Sequence, residues 1–94
     1  MDLERDVERY LTREVERLGG RCVKFIPDNE PGMPDRLLLL PGGVTLWVET
    51  KRTTGELRAL QQYQHTRLRR LGQRVEAVYT KADVDSLLTG YKPV

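Results

Sequence analysis

Three polar side chains interrupt two apolar runs that are predicted to be neighbouring strands. Asp35 opens the first run, and Glu49 and Lys51 lie at the end of the second. Because successive side chains of a strand point to opposite faces, Glu49 and Lys51 share one face and Thr50 points to the other. The Pro-Gly-Gly turn 41–43 joins the two runs as a hairpin and places Asp35 near Glu49. Two carboxylates and an amine are therefore expected to converge at one end of the sheet.

Charged groups at the end of a core strand are costly to remove from water unless they pair with one another or bind an ion. Mg²⁺ typically takes one or two protein carboxylates, several waters and phosphate oxygens of a substrate. Asp35 and Glu49 would supply such carboxylates, and Lys51 would hold an attacking water or stabilise charge on the phosphate. The alternative is structural, with Asp35 as a turn or strand-opening residue and Glu49 with Lys51 as an ion pair at a sheet edge.

The elements that must position these residues follow from hydrophobic periodicity and from turn residues. Apolar residues at helical spacing alternate with short apolar runs and with segments rich in glycine and proline. The order αβββαβ, followed by a short terminal helix, predicts an α/β fold. In chain order the predicted elements are a helix over 3–18, strands over 21–26, 35–40 and 44–51, a helix from a capping box at 53–56 to 71, a strand over 75–79, and a helix over 82–88 capped by Thr80.

The composition limits the classes of protein to which the chain can belong. Its 94 residues suffice for one domain, 1–94, and its net charge is only +2. The longest apolar run, 37–40, is far shorter than the ~20 residues of a membrane span, and the charged N-terminus is unlike a secretory signal. The single cysteine, Cys22, forms no internal disulfide, and together with the single histidine it nearly excludes a zinc site. A cytoplasmic protein without a membrane partner is expected.

The same residues resemble a nuclease signature. Pro34-Asp35, followed by Glu49-x-Lys51 on an adjacent strand, resembles the PD-(D/E)xK nuclease superfamily. A wider set resembles its VRR-NUC branch, in particular the small stand-alone form of phages and bacteria, and extends from Glu4 to about Val78. This resemblance implies a restriction-endonuclease-like αβββαβ core with a mixed central sheet flanked by helices. The residues that carry it are Gly32-x-Pro34-Asp35-Arg36-Leu37, Gly42-Gly43, Val48-Glu49-x-Lys51-Arg52, Gly55-x-Leu57 and Gln61.

The resemblance assigns roles to individual residues. Asp35 and Glu49 would be metal ligands, with the backbone carbonyl of Thr50 as a third, and the metal would be Mg²⁺ with Mn²⁺ as a substitute. Lys51 would be the catalytic lysine. Gln61 would lie near the metal or the scissile phosphate, and helical counting supports this role because it places Gln61 on the leucine-rich face of its helix. That face is defined by Leu57, Leu60, Leu68 and Leu71.

Glu8 matches the first-helix glutamate of related Holliday junction resolvases. It lies at the edge of the apolar face of its helix, so it can reach the site as a metal ligand, although a solvated position is an equally good interpretation. Glu4 lies one turn earlier and competes for the same role, and spacing leaves that choice open. His65 is predicted to be a surface residue rather than a general base. Lys24 resembles a strand lysine of the family.

Arginine accounts for 12 of the 16 basic residues, and its guanidinium is the better bidentate partner for phosphate. The first helix carries an arginine at every fourth position, which can track a phosphate backbone or form a solvated face paired with acidic neighbours. A second group lies near the C-terminus of the second long helix, where cations are favoured in any protein. The two groups are Arg5, Arg9, Arg13 and Arg17, and Arg67, Arg69, Arg70 and Arg74.

These features predict a Mg²⁺- or Mn²⁺-dependent DNA endonuclease with no small-molecule substrate. The resemblance implies a homodimer that acts on branched DNA such as Holliday junctions. The size of the chain also favours a dimer. A chain of this length has a radius of gyration of roughly 12 Å, whereas one turn of duplex runs about 34 Å, so a monomer can hold one scissile phosphate and little flanking DNA. The alternatives are a catalytically inactive nuclease-fold module that binds DNA or acts as an adaptor and, less favoured, a small interaction protein whose charged stripes only solubilise it.

Overall fold

Four strands and three helices build the part of the chain that the computed structural model describes, residues 3–51 and 55–91. The elements are α1 Glu4–Arg17, β1 Arg21–Lys24, β2 Arg36–Leu40, β3 Val44–Thr50, α2 Ala59–Arg70, β4 Val75–Val78 and α3 Lys81–Leu88. The strands lie in chain order in one sheet, in which β1, β2 and β3 pair antiparallel and β4 pairs parallel to β3. The predicted α/β class, the mixed sheet and the order of the elements are confirmed.

The main core lies on the face of the sheet that α1 and α3 cover. α1 buries Val7, Leu11 and Val15, which recur every four residues and so lie on one side of the helix. Directly paired residues of antiparallel strands share a face, and Leu38 of β2 therefore meets Leu46 of β3 beneath this helix. Burial of a large aliphatic side chain stabilises a fold by about 1.5–3 kcal/mol. Because these buried residues hold one face of α1 against the sheet, they also determine where the polar side chains beside that face lie.

The end of β3 is covered on both faces, and its last three residues are all buried. Thr50 faces α1, whereas Glu49 faces α2. α2 lies on the opposite side of the sheet from α1 and buries Gln64, His65 and Leu68. Polar side chains that are withdrawn from water on both faces of one strand end need partners from both helices.

Several predicted strands are longer than the observed ones. β1 ends at Lys24, and Ile26, which precedes a proline, is 74% exposed. A residue before proline is restricted, and proline itself has no N–H to continue a ladder. Asp35 forms a bend immediately before β2, although its carbonyl still accepts a hydrogen bond of 2.9 Å from the Phe25 N–H. Because Asp35 lies in this bend and not within β2, its side chain does not have to follow the alternation of the strand.

The predicted start of the second long helix is wrong. Residues 55–58 are not helical and α2 begins at Ala59, while positions 53 and 54 of the predicted capping box lie outside the described residues. The backbone N–H of Arg58 donates to Gln61 Oε1 at 2.9 Å. A glutamine side chain therefore satisfies a backbone amide at the point where the helix begins.

The last helix begins as predicted. Thr80 Oγ1 accepts a hydrogen bond of 3.0 Å from the Asp83 N–H, and Asp83 Oδ2 accepts one of 3.2 Å from the Thr80 N–H. This reciprocal pair is a capping box, and it starts α3 at Lys81. None of the helices in the described ranges combines the length and the apolar character needed to cross a bilayer.

Gly32 allows the loop before Asp35 to pack against the start of α2. Its φ is +87°, and a Cβ at this position would lie 2.8 Å from both the carbonyl oxygen and the Cγ of Leu60. Gly42, in the hairpin turn, has a similar φ of +86°, but a Cβ there would meet no atom of the described residues within 4 Å. Both glycines adopt a backbone conformation that other residues avoid, and only Gly32 is also in close contact.

Replacing Gly32 by alanine is expected to destabilise the protein more than replacing Gly42 by alanine. Each substitution forces an alanine into the left-handed region at a cost of about 1–2 kcal/mol. Only Gly32→Ala also drives a methyl group into α2, which adds about 1–3 kcal/mol. Urea denaturation measures the two free energies of unfolding, and equal losses would contradict the contact between this loop and α2.

Candidate active site

Asp35 joins the beginning of β2 to the end of β3. The Thr50 backbone N–H donates to Asp35 Oδ1 at 3.2 Å, and Thr50 Oγ1 lies 3.0 Å from Asp35 Oδ2. Desolvation raises the pKa of Asp35 above its usual value, and the two contacts with Thr50 oppose that rise. The contacts with Asp35 show that the Thr50 side chain points away from Glu49, as strand alternation predicts.

Glu8 reaches the same hydroxyl from α1. Its Oε1 lies 3.1 Å from Thr50 Oγ1, and its Oε2 accepts a hydrogen bond of 3.1 Å from Arg36 Nη2. A hydroxyl carries one proton, so Thr50 can donate to only one of the two neighbouring carboxylates at a time. Arg36 supplies the positive charge beside Glu8, a role that sequence reasoning missed. Strand alternation could have indicated this role: Arg36 lies two residues before the buried Leu38 in β2, so the two side chains lie on the same face of the sheet.

Glu4 completes a group of three carboxylates. One oxygen each from Glu4, Glu8 and Asp35 lie within 4.8 Å of one another. Glu4 and Glu8 are one helical turn apart on α1, so the same face of the helix presents both. The sequence left open which of the two glutamates serves the site, and the fold brings both of them to Asp35.

Glu49 lies on the other face of β3 and is only 4% exposed. Burial, and then the negative charge of Asp35, raise the pKa of Glu49 to about 8, and Lys51 acts in the opposite direction. Its Oε1 has no hydrogen-bond partner in the described part of the chain. Glu49 is not among the three carboxylates that lie within 4.8 Å of one another, so its convergence with Asp35 on a single ion stays a prediction.

His65 is 1% exposed, so its predicted surface position is wrong. Helical counting took the leucines of α2 to mark its buried face, but Leu60 is 46% exposed and Leu71 is 77% exposed. The buried face is rotated and contains His65, whose Nε2 lies 3.9 Å from Glu49 Oε1. Desolvation, and then the charge of Arg69, lower the pKa of His65. The imidazole is therefore neutral and carries a single N–H.

The structure places Gln61 and Lys51 in different surroundings. Gln61 lies in the first turn of α2, where its side chain accepts the hydrogen bond from Arg58 described above. Lys51 directly follows β3, and its backbone N–H donates to the Val78 carbonyl at 2.9 Å. Its side chain lines a cleft shared with Glu4 of α1. Lys51 therefore borders the same cleft as one member of the carboxylate group, Glu4.

The side chains that converge here fit a hard divalent cation. All the acidic ones offer carboxylate oxygens, the ligands that Mg²⁺ and Mn²⁺ prefer. Glu49 adds a buried oxygen that lacks a partner among the described residues, and one cationic side chain, Arg36, is hydrogen-bonded to the group. A cluster of carboxylates with so little positive charge favours binding of a cation, because desolvated like charges repel one another. Asp35, Glu49 and the Thr50 carbonyl, with Glu8 or Glu4, are the residues that would hold it.

Three of the α1 arginines line a groove beside this site. Arg5, Arg9 and Arg13 share this groove with Glu8 and Arg36. Arg17, at the far end of the helix, instead donates to Glu14 at 2.9 Å. Three of the four arginines of the second group are engaged locally: Arg67 stacks over Tyr63, Arg69 donates to the Val75 carbonyl and Arg74 donates to the Tyr91 hydroxyl. The part of the first stripe that lies nearest Glu8 is thus the better candidate for contact with an anionic partner.

The raised pKa of Glu49 predicts how the stability of the metal-free protein depends on pH. A carboxyl whose pKa is about 8 when folded, against 4.5 as its ordinary value, binds a proton more tightly in the folded state. Its contribution to stability is complete below about pH 4.5 and is lost as the pH rises through about 8. Thermal unfolding in EDTA should therefore show wild type losing stability relative to Glu49→Gln across this interval. A stability difference that does not change with pH would contradict the burial of Glu49. His65 is present in both proteins, so its own titration largely cancels.

Comparison with known proteins agrees with the fold. No protein-family model matches the chain. The chain is 36% identical over 85 residues to “Putative nuclease p44” of Acyrthosiphon pisum secondary endosymbiont phage 1, and the match covers 90% of each protein. A solved structure described as “VRR_NUC domain” superposes with a TM-score of 0.86 at 34% identity, over 94% of this chain and 96% of that one. Since both matches span nearly the whole chain at this identity, the protein belongs to the VRR-NUC family.

Proposed function

We propose that this protein is a Mg²⁺- or Mn²⁺-dependent endodeoxyribonuclease that hydrolyses phosphodiester bonds in branched DNA, such as Holliday junctions, as a homodimer. The observation that carries the proposal is the set of carboxylates on both sides of Thr50, with Glu8 and Asp35 on one face of β3 and the buried Glu49 on the other. Family membership supports nuclease activity on DNA. The proposed location of the protein is the cytoplasm of a bacterial cell or of a phage-infected host, where such DNA occurs.

Asp35 and Glu49 hold the divalent cation in this proposal, together with the Thr50 carbonyl and with Glu8 or Glu4. When bound, such a cation polarises the scissile phosphate and makes a water molecule more acidic. Thr50 orients Asp35 through its backbone N–H and its hydroxyl, so the carboxylate is fixed before substrate arrives. Arg36 fixes Glu8 in the same way.

Lys51 orients the attacking water and stabilises negative charge on the phosphate. Its place directly after β3, in the cleft that also contains Glu4, lets its ammonium approach the substrate from the solvent side. A lysine ammonium is a compact charge with three donors, so it can contact a water and a phosphate oxygen together. Gln61, at the start of α2, is a candidate for contact with the scissile phosphate. Its side chain would first have to release the backbone N–H of Arg58.

Substrate preference and assembly follow from size and from charge. The principal extents of the described protein are 36, 32 and 22 Å, so one copy covers about one turn of duplex DNA. A two-fold dimer would present two sites and twice the basic surface, as symmetric cleavage of a four-way junction requires. The groove that contains Arg5 and Arg9 beside Glu8 would carry the phosphate backbone toward the site.

Cleavage assays with purified variants test the proposed chemistry. Wild type is expected to cut a four-way junction in Mg²⁺ or Mn²⁺ and not in EDTA. Asp35→Asn and Lys51→Ala should each lower the rate at least about a hundredfold, because each removes a charge that acts at the reacting phosphate. Glu76→Gln, which changes an exposed carboxylate of β4, is the matched control and should cut like wild type.

Equal cleavage by wild type and the two site variants would trace the activity to a contaminant and end the proposal. Junction binding by wild type without cleavage in either metal would instead identify a nuclease-fold DNA-binding module.

The proposed dimer and its substrate are tested on the same preparations. Sedimentation equilibrium is expected to give twice the mass of the chain, and wild type is expected to cut a four-way junction faster than a linear duplex of the same sequence. A monomer at micromolar concentration, or equal rates on both substrates, would overturn the proposed assembly or the proposed preference without affecting the chemistry.

A further inference from the structure

Two buried polar side chains face each other between β3 and α2. Glu49 is 4% exposed and His65 is 1% exposed, and Glu49 Oε1 lies 3.9 Å from His65 Nε2. These two atoms and His65 Nδ1 are all out of contact with solvent, and none has a hydrogen-bond partner among the described residues. Buried polar groups in proteins are nearly always paired, so this arrangement requires a reason.

The other polar side chains of α2 near His65 are already engaged. Gln64 donates to Glu30 Oε2 at 3.2 Å and to the Pro31 carbonyl at 3.1 Å. Arg69, one turn further along, donates to the Val75 carbonyl at 2.8 Å. Glu49 is therefore the acceptor that His65 faces across the interface between α2 and the sheet.

We propose that His65 is a positioning residue that holds the Glu49 carboxylate in the orientation in which it binds the divalent cation. His65 Nε2–H donates to Oε1, and the second carboxylate oxygen is left for the cation. Closing the separation from 3.9 Å to the roughly 2.9 Å of a hydrogen bond requires a movement of about 1 Å. Carboxylates that bind metals are themselves usually held by hydrogen bonds of this kind. This inference rests on the proposed function, in which Glu49 is a metal ligand.

The position of His65 distinguishes this role from that of a general base. His65 approaches Glu49 from the protein interior and is shielded from solvent, so it cannot itself contact a substrate phosphate. A helix held against the sheet is a rigid support for a ligand, because its position depends on packing rather than on a loop. A buried histidine on α2 thereby couples the packing of that helix to the geometry of the site.

Calorimetric titration with Mn²⁺, without DNA, tests the proposal by a readout other than activity. Wild type is expected to bind Mn²⁺ and Glu49→Gln to lose that binding. His65→Leu should bind about 10–100-fold more weakly, as for loss of a hydrogen-bond partner behind a metal ligand. His65→Gln should recover part of the affinity, since its amide can donate from near the position of Nε2. Gln64→Leu, a buried polar neighbour on the same helix that does not face Glu49, is the matched control and should bind like wild type.

The outcomes separate this inference from the proposed function. Wild-type affinity in His65→Leu, with binding lost in Glu49→Gln, would overturn the role of His65 and leave the proposed function intact. Wild-type affinity in Glu49→Gln would overturn both. Should His65→Leu fail to fold, His65→Gln and His65→Asn decide the matter. The asparagine amide is too short to reach the Nε2 position, so equal affinities of these two variants would also overturn the proposal.

Discussion

Carboxylates gathered at one end of a small sheet, where Glu49 is buried and Asp35 and Glu8 are partly buried, are the constraint on which this structure depends. Desolvation raises the pKa of both Asp35 and Glu49, and the charge of Asp35 adds to the cost of ionising Glu49. Arg36 binds Glu8, and Lys51 lowers the pKa of Glu49, yet two cations do not balance four acidic groups. A divalent cation would supply the missing positive charge, which is why we propose a metal-dependent reaction.

The fold imposes this gathering through a single strand end. β3 turns Thr50 toward α1 and Glu49 toward α2, so each helix meets a different polar side chain of the same strand. The bend at Asp35 then lets a residue of the neighbouring strand reach around to Thr50. Side chains of α1, of the bend before β2 and of the end of β3 are thereby brought together, and the aliphatic core beneath α1 fixes their relative positions. Stability and function are linked here, because the same packing that buries the core also desolvates the acids.

Local patterns in the sequence predicted what depends on local geometry. Strand alternation predicted the opposite orientations of Glu49 and Thr50, and Thr80 was correctly predicted to cap α3. What depends on tertiary packing was not predictable in this way. His65 was placed at the surface because leucines were taken to mark the buried face of α2, whereas the face that is buried contains Gln64, His65 and Leu68. The Arg36–Glu8 pair was missed because strand alternation places Arg36 on the same face as Leu38 but does not show that Glu8 of α1 reaches that face.

The central claim is that the desolvated acids form a binding site for a divalent cation. Thermal unfolding at about pH 8 with and without Mn²⁺ tests it most directly. A cation at a hundred times its Kd adds about 2.7 kcal/mol to the stability of the protein that binds it, and each kcal/mol raises the midpoint of a domain this small by roughly 4–8 °C. Wild type should show this rise, and the double variant Asp35→Asn with Glu49→Gln should not. The same rise in both proteins, or none in wild type, would contradict the claim.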